Sequence, residues 1–211
     1  MLILAIILSY LLGSIPVGYI LARLLKDIDI RRYGSGNFGA TNVFRAVSPV
    51  AGVVVLVLDM LKGVIAVIVI GDFLLHSLPQ LDQVLVRLSL GLAAVCGHNW
   101  TVFLKFKGGK GVATTAGALL GLSFKIPQLG LIAVFCLGVW VLVVLITGFI
   151  SLASIVASLA LPLFMLVFNQ PFRLLIFGVV LCLFVVYRHK TNIRRLLRGE
   201  EKKVFDKTLT I

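Results

Sequence analysis

Three short polar stretches hold the residue types that chemistry on a phosphate would need. The first is Tyr33-Gly34-Ser35-Gly36-Asn37-Phe38-Gly39-Ala40-Thr41-Asn42, followed by Arg45. Glycine lets backbone N–H groups converge on an anion, and a helix that follows adds its N-terminal dipole. Arg45 falls about one turn into a helix starting near Gly39, within reach of the same point. The second stretch is Gly97-His98-Asn99-Trp100-Thr101-Val102-Phe103, running on into Phe106-Lys107-Gly108-Gly109-Lys110-Gly111-Val112-Ala113-Thr114. Gly-Gly-Lys-Gly ahead of an apolar run reads as an anion cradle with a point charge in it. Lys110 is followed by Gly111 rather than Ser or Thr, so this is not the nucleotide loop of a motor ATPase. The third stretch is Arg188-His189-Lys190-Thr191-Asn192-Ile193, leading to Arg194 and Arg195. His189 and Asn192 are three apart, so on a helix extending the preceding apolar run they share a face.

Missing motifs narrow the chemistry further. The segments expected inside the cell offer only Asp27, Asp29, Glu200, Glu201 and Asp206 as acids, and none lies in a glycine loop. No His has an Asp five positions on, and no G-x-S-x-G or H-E-x-x-H pattern occurs. Cys96, Cys136 and Cys182 each sit alone in an apolar run and read as small buried hydrophobes rather than metal or disulfide partners. A site built this way is rich in cations, amides and hydroxyls and poor in bases. It suits electrostatic stabilisation of phosphate groups better than proton abstraction by a carboxylate.

The elements that must position these groups are apolar. The chain has 211 residues, 60% of them hydrophobic, with mean hydropathy +1.13, net charge +12 and pI near 10.1. Counting glycine raises the apolar share to about 70%, against about 45–50% in soluble domains. A globular core of this size cannot hide that much apolar side chain. A water-soluble enzyme, a disordered chain and an ordinary nucleic-acid binder are therefore excluded, and the excess must face lipid. Apolar runs lie at about 1–25, 50–71, 84–97, 112–122, 127–147, 150–168 and 172–187. Those at 84–97 and 112–122 are short for a span of about 20 residues. The sequence thus predicts an all-α integral membrane protein with seven transmembrane helices, some of them short, and no separate soluble domain.

Charge sets the expected orientation. Residues 1–22 carry no charged side chain, and the first charge, Arg23, follows the apolar run. That order predicts an uncleaved first span with the N-terminus outside. Seven crossings then put 23–49, 98–111, 148–150 and 188–211 in the cytoplasm. These segments hold sixteen of the 20 Lys and Arg residues, eight of them in a basic cytoplasmic tail at 188–211. Every charged glycine loop falls on that same side. Within the spans, Asp59 and Lys62 sit at i, i+3. They can neutralise each other, or hold a loop from behind the site. Gly13-Ser14-Ile15-Pro16 breaks the first span, either as a kink with close small-residue packing or as opened backbone. Ser151 and Ser154 lie near the inner end of the sixth span, where a hydroxyl often bonds its own backbone.

Taken together and in order, these stretches resemble the bacterial acyl-phosphate:glycerol-3-phosphate acyltransferases. The resemblance rests on Gly13 to Pro16, Gly34 to Asn42, Asp59-Met60-Leu61-Lys62-Gly63, Gly97 to Trp100 with Phe103, Gly108 to Thr114, Ser151 to Ser154, and His189 with Asn192-Ile193. It implies one polytopic acyltransferase domain over 1–211 in the bacterial inner membrane, with its site on the cytoplasmic side. It implies transfer of a fatty acyl group from acyl phosphate to the 1-hydroxyl of glycerol 3-phosphate. Lysophosphatidic acid and inorganic phosphate would be the products, and no cofactor or metal is called for. Membrane lipid is the remaining partner, nucleic acid is not one, and a monomer is compatible with the family.

Carried over residue by residue, Ser35, Arg45 and Lys110 are the catalytic set contacting phosphate. Ser151, Ser154, His189 and Asn192 would seat glycerol 3-phosphate, while Gly34, Gly36, Asn37, Thr41, Asn42, His98, Asn99, Gly108, Gly109, Gly111 and Thr114 would line or shape the pocket. Asp59 and Lys62 would support it from behind. With no evident protein base, a substrate phosphate oxygen is expected to take the hydroxyl proton. The competing expectation is a transporter of a phosphorylated small molecule, since broken spans and glycine loops also build transport sites. A transporter needs access from both faces, whereas the motifs here gather on one.

Overall fold

The computed structural model describes residues 1–204; Asp206 and Lys207, counted in the tail above, lie outside them. All regular structure among the described residues is helical. The helices are α1 (Leu2–Ser14), α2 (Val17–Lys26), α3 (Ala40–Ala46), α4 (Pro49–Ile65), α5 (Gly71–Ser77), α6 (Gln83–Asn99), α7 (Val112–Ser123), α8 (Pro127–Thr147), α9 (Ile150–Val167), α10 (Phe172–Arg188) and α11 (Lys190–Leu197). Four stretches are long and apolar enough to cross a membrane: Leu2–Lys26, Pro49–Ser77, Gln128–Thr147 and Ile150–Val167. A fifth forms if α10 and α11, which meet at a 59° bend, count as one. The apolar runs at 84–97 and 112–122 are helical as well, but α6 and α7 have only 17 and 12 residues. Large apolar side chains stand exposed along these helices, such as Leu145 at 74% and Leu163 at 57%. Lipid, not water, is the solvent that tolerates such a surface.

The described chain falls into two compact units, Met1–Leu122 and a second beginning at Ser123. In the first, small residues let backbones touch. Gly13 of α1 lies on the Ala94 backbone, and Gly97 of α6 lies on the Tyr10 carbonyl. Gly63 of α4 meets Thr114 and Ala118 of α7, while Gly117 meets the Met60 carbonyl. The break between α1 and α2 takes the Ser14 and Ile15 carbonyls out of the regular helical ladder. Both find partners: Thr101 Oγ1 donates to the Ser14 carbonyl at 2.5 Å, and Lys62 Nζ to that of Ile15 at 2.5 Å. The break is therefore both a packing kink and opened backbone.

Capping follows sequence. Ser48, ahead of Pro49, accepts the Ala51 N–H at 3.1 Å, and Asp82 accepts those of Val84 and Leu85 at 2.9 and 3.0 Å. Past α4 the helix widens into a π turn over Ala66–Ile70. There the buried Arg87 donates to the Val67 carbonyl at 2.7 Å and pairs with Asp72.

The second unit stacks α9 against both α8 and α10. Phe135 packs on Phe164 and Phe168 with ring centroids 5.6 Å apart in each pair. Gly148 ends α8 in the left-handed region at φ +75°. The segment after α11 returns to this corner, where Val204 donates to the Gly148 carbonyl at 2.8 Å and Lys203 Nζ lies 5.8 Å from the Phe149 ring centre.

Candidate active site

The first glycine loop is held open by its own asparagines. Its entry is a 3-10 turn at Ile30–Arg32, capped by Asp29, whose carboxylate accepts the Arg31 N–H at 3.1 Å and pairs with the Arg31 guanidinium at 2.7 Å. That guanidinium holds the Asp29 carboxyl at about 2, well below the usual carboxylate range. Gly34 and Gly36 adopt φ +58° and +73°, a conformation that favours glycine. The buried Asn42 accepts the Ser35 N–H at 2.9 Å and donates to the Tyr33 carbonyl at 3.0 Å. Asn37 accepts the Gly39 N–H at 2.8 Å. Two amides expected to face an anion are thus turned into the loop, and Asn37 and Asn42 act as its builders. The chemistry-bearing side chains left to this stretch are the exposed Ser35, the half-buried Thr41 and Arg45. Helix α3 starts at Ala40 with Gly39 as its N-cap, and Arg45 lies in its last turn.

The second loop lies flat on the end of α6. Gly109 donates its N–H to the His98 carbonyl at 2.9 Å. A side chain at Gly108 would strike the His98 carbonyl and the Asn99 backbone, and one at Gly109 would strike His98 Nε2. At Gly111, with φ +76°, a Cβ would come within 2.6 Å of Asn99 Oδ1. These glycines therefore permit close approach of the loop to the end of α6. Lys110 is half-buried between them. The Asn99 amide is fully buried beneath the loop, and the Thr114 hydroxyl is buried at the head of α7.

His98 ties the loops together. Phe38 of the first loop packs tilted on its ring, with centroids 5.7 Å apart. Asp59 Oδ1 lies 3.6 Å from His98 Nδ1 and 2.6 Å from Lys62 Nζ. Asp59, Lys62 and His98 are all buried.

In the second unit, Glu201 joins two of the expected residues. Its Oε1 accepts from Ser151 Oγ at 2.6 Å and from Asn192 Nδ2 at 2.7 Å. Ser154 accepts from Trp140 Nε1 at 3.2 Å and donates to the Ile150 carbonyl at 2.8 Å. The buried His189 bonds the Val185 carbonyl through Nδ1 at 2.7 Å; a carbonyl only accepts, so Nδ1 carries a proton there. His189 and Asn192 do not share a continuous helix as expected. The chain bends at His189, between α10 and α11, and both side chains remain buried. Glu201 and Trp140 were not among the expected site residues. Among the described residues, no cluster of three or more His, Cys, Asp or Glu side chains is arranged to hold a metal ion.

The family model described as glycerol-3-phosphate acyltransferase matches residues 3–199. The chain belongs to that family. It is 44% identical over 205 residues to the glycerol-3-phosphate acyltransferase of Desulforamulus reducens, covering 97% of this chain and 96% of that one. The corresponding protein of Thermoanaerobacter pseudethanolicus is also 44% identical, with 98% and 97% covered. Among solved structures, PlsY, an integral membrane glycerol 3-phosphate acyltransferase, matches in its glycerol 3-phosphate form with TM-score 0.83 and 40% identity, covering 96% of this chain and 94% of that one. Its lysophosphatidic acid form matches with TM-score 0.80 over the same shares. The family resemblance drawn from seven short stretches between Gly13 and Ile193 is thereby established along nearly the whole chain.

Proposed function

We propose that this chain is a membrane glycerol-3-phosphate acyltransferase using acyl phosphate as donor. It transfers the acyl group to the 1-hydroxyl of sn-glycerol 3-phosphate, giving lysophosphatidic acid and inorganic phosphate, the first step of phospholipid synthesis. The observation that carries this reading is 40% identity, over 96% of the chain, to PlsY in a glycerol 3-phosphate form. The donor follows from the resemblance and from two glycine loops provided with Arg45 and Lys110.

In the reaction, the 1-hydroxyl oxygen attacks the acyl carbonyl carbon, the bond from that carbon to the phosphate oxygen breaks, and phosphate leaves. A phosphate oxygen of a bound substrate takes the hydroxyl proton. Lys110, Arg45 and Ser35 hold the donor phosphate and stabilise charge on the leaving group. Ser151, Ser154, His189 and Asn192 seat glycerol 3-phosphate. Glu201 serves as the acceptor for Ser151 and Asn192, and the proton goes to substrate phosphate rather than to this carboxylate. The reaction balances without a cofactor. We further propose that residues 1–211 act as one domain with seven crossings, the N-terminus outside and the loops in the cytoplasm, in the bacterial inner membrane. The acyl chain then stays in lipid while its phosphate reacts at the surface.

Purified protein given acyl phosphate and glycerol 3-phosphate tests the reading. Wild type is expected to release phosphate, and Ser35→Ala, Arg45→Ala and Lys110→Ala each to lower kcat/KM about 10²–10³-fold with normal membrane insertion, as loss of an oxyanion donor does. Uptake of glycerol 3-phosphate into vesicles without acyl transfer would identify a transporter instead.

A further inference from the structure

Buried ion pairs within spans usually just cancel each other's charge. The pair Asp59–Lys62 does more than that geometrically. One turn of α4, from Asp59 to Gly63, touches the α1–α2 break, the end of α6 and the start of α7. Lys62 Nζ reaches out of that turn to the Ile15 carbonyl at the α1–α2 break. Gly63 and Met60 receive the first turns of α7, which follow the loop directly. Asp59 faces His98, which precedes the loop, at 3.6 Å. His98 in turn carries the loop on its carbonyl and its ring: the Gly109 N–H bonds the carbonyl at 2.9 Å, and Gly109 has no room for a side chain against Nε2. The opposite side of the ring environment is Phe38 of the first loop. The imidazole is 4% exposed, so packing neighbours rather than solvent set its orientation.

We infer that Asp59, Lys62 and His98 are positioning residues: through His98 they fix the separation and orientation of the two phosphate-binding loops, and hence the placement of Lys110. This rests on the reading of residues 108–111 as a phosphate site. Gly109 rests directly on the His98 ring, so the loop shifts if the ring beneath it moves. Displacement by about 1 Å can cost about 10²-fold in rate. The pair also contributes to folding, but the folding role needs only charge balance, whereas the positioning role needs an anion at 59 facing an imidazole at 98.

Two variants separate these roles. Asp59→Asn/Lys62→Gln removes both charges together and leaves no lone buried ion. His98→Gln leaves the ion pair intact. Each is purified, its monodisperse fraction and thermal midpoint are recorded, and kcat, KM for both substrates and the inhibition constant of inorganic phosphate are measured per mole of folded protein. Positioning predicts folded protein with the inhibition constant for phosphate raised at least 10-fold in both variants, and kcat reduced in parallel. Folded variants with the wild-type inhibition constant and KM would overturn the inference. Loss of folded protein in both would also overturn it, since the role would then be stability alone. Wild-type protein that makes no lysophosphatidic acid is a separate result and removes the functional reading beneath it.

Discussion

On the proposed reading, the Glu201 carboxylate serves the site as acceptor for Ser151 and Asn192 rather than as its base. One oxygen accepts both hydrogen bonds, so an amide oxygen at 201 can replace it. Glu201→Gln is expected to keep kcat within about threefold of wild type, because neutral acceptors cost little when geometry is kept. Glu201→Ala strands two donors and is expected to lower stability by about 2–3 kcal/mol, read by thermal unfolding in micelles. A loss of kcat in Glu201→Gln matching that in Glu201→Ala would make Glu201 the base. Asp29 offers a pH test on the other unit. Its carboxyl is depressed to about 2 by Arg31, so the pair stabilises the fold at neutral pH. That contribution is complete above the unfolded value of about 3.9 and disappears as pH falls toward the folded one. The difference in Tm between wild type and Asp29→Asn should therefore be present at pH 6 and shrink between about pH 4 and pH 2.

Residue type beside glycines singles out Ser35, Arg45 and Lys110 as candidates in the sequence, and their role is what the alanine variants test. The sequence was not legible where a role depends on a contact across the chain. Glu201 meets Ser151 from fifty positions away, inside a tail whose charges otherwise satisfy the positive-inside bias. Asn37 and Asn42 carry the same side chain as a ligand-binding asparagine, and only hydrogen-bond geometry shows them building the loop.

Helices in this protein meet through glycine, and that fixes where substitution is costly. Gly117 of α7 lies against the Met60 carbonyl of α4, with no space for a Cβ. Gly117→Ala must push α7 away from α4, and a destabilisation of about 1–3 kcal/mol is expected. Thermal unfolding in detergent would show it, and an unchanged Tm would contradict the close packing. The seven apolar runs were readable from hydropathy, and each is helical. The bend at His189 was not, because no Pro or Gly marks it. The π turn at Ala66–Ile70 was equally hidden, since its five residues are uniformly apolar. It coincides with the Val67 carbonyl that Arg87 engages, a tertiary demand that periodicity does not register.

The charge of +12 divides into two parts on the scale of the whole molecule. Most of it, including Lys105, Lys107 and the tail, is what the proposed orientation calls for. Arg45 and Lys110 are set apart by their place beside glycine loops. The proposed orientation predicts that Lys107→Cys and Arg195→Cys, in a background lacking the native cysteines, react with an impermeant maleimide only from the cytoplasmic face. Lys125→Cys should react only from outside. Labelling of Lys107→Cys from outside would invert the topology and remove the cytoplasmic site.

The choice of acyl donor decides whether this chain carries out the proposed transfer. Purified protein is offered glycerol 3-phosphate with acyl phosphate, acyl-CoA or acyl-carrier protein in separate reactions, and lysophosphatidic acid and inorganic phosphate are measured together. The account predicts equal amounts of both products from acyl phosphate and no lysophosphatidic acid from either thioester. Transfer from acyl-CoA at a comparable rate, or phosphate release without lysophosphatidic acid, would contradict it.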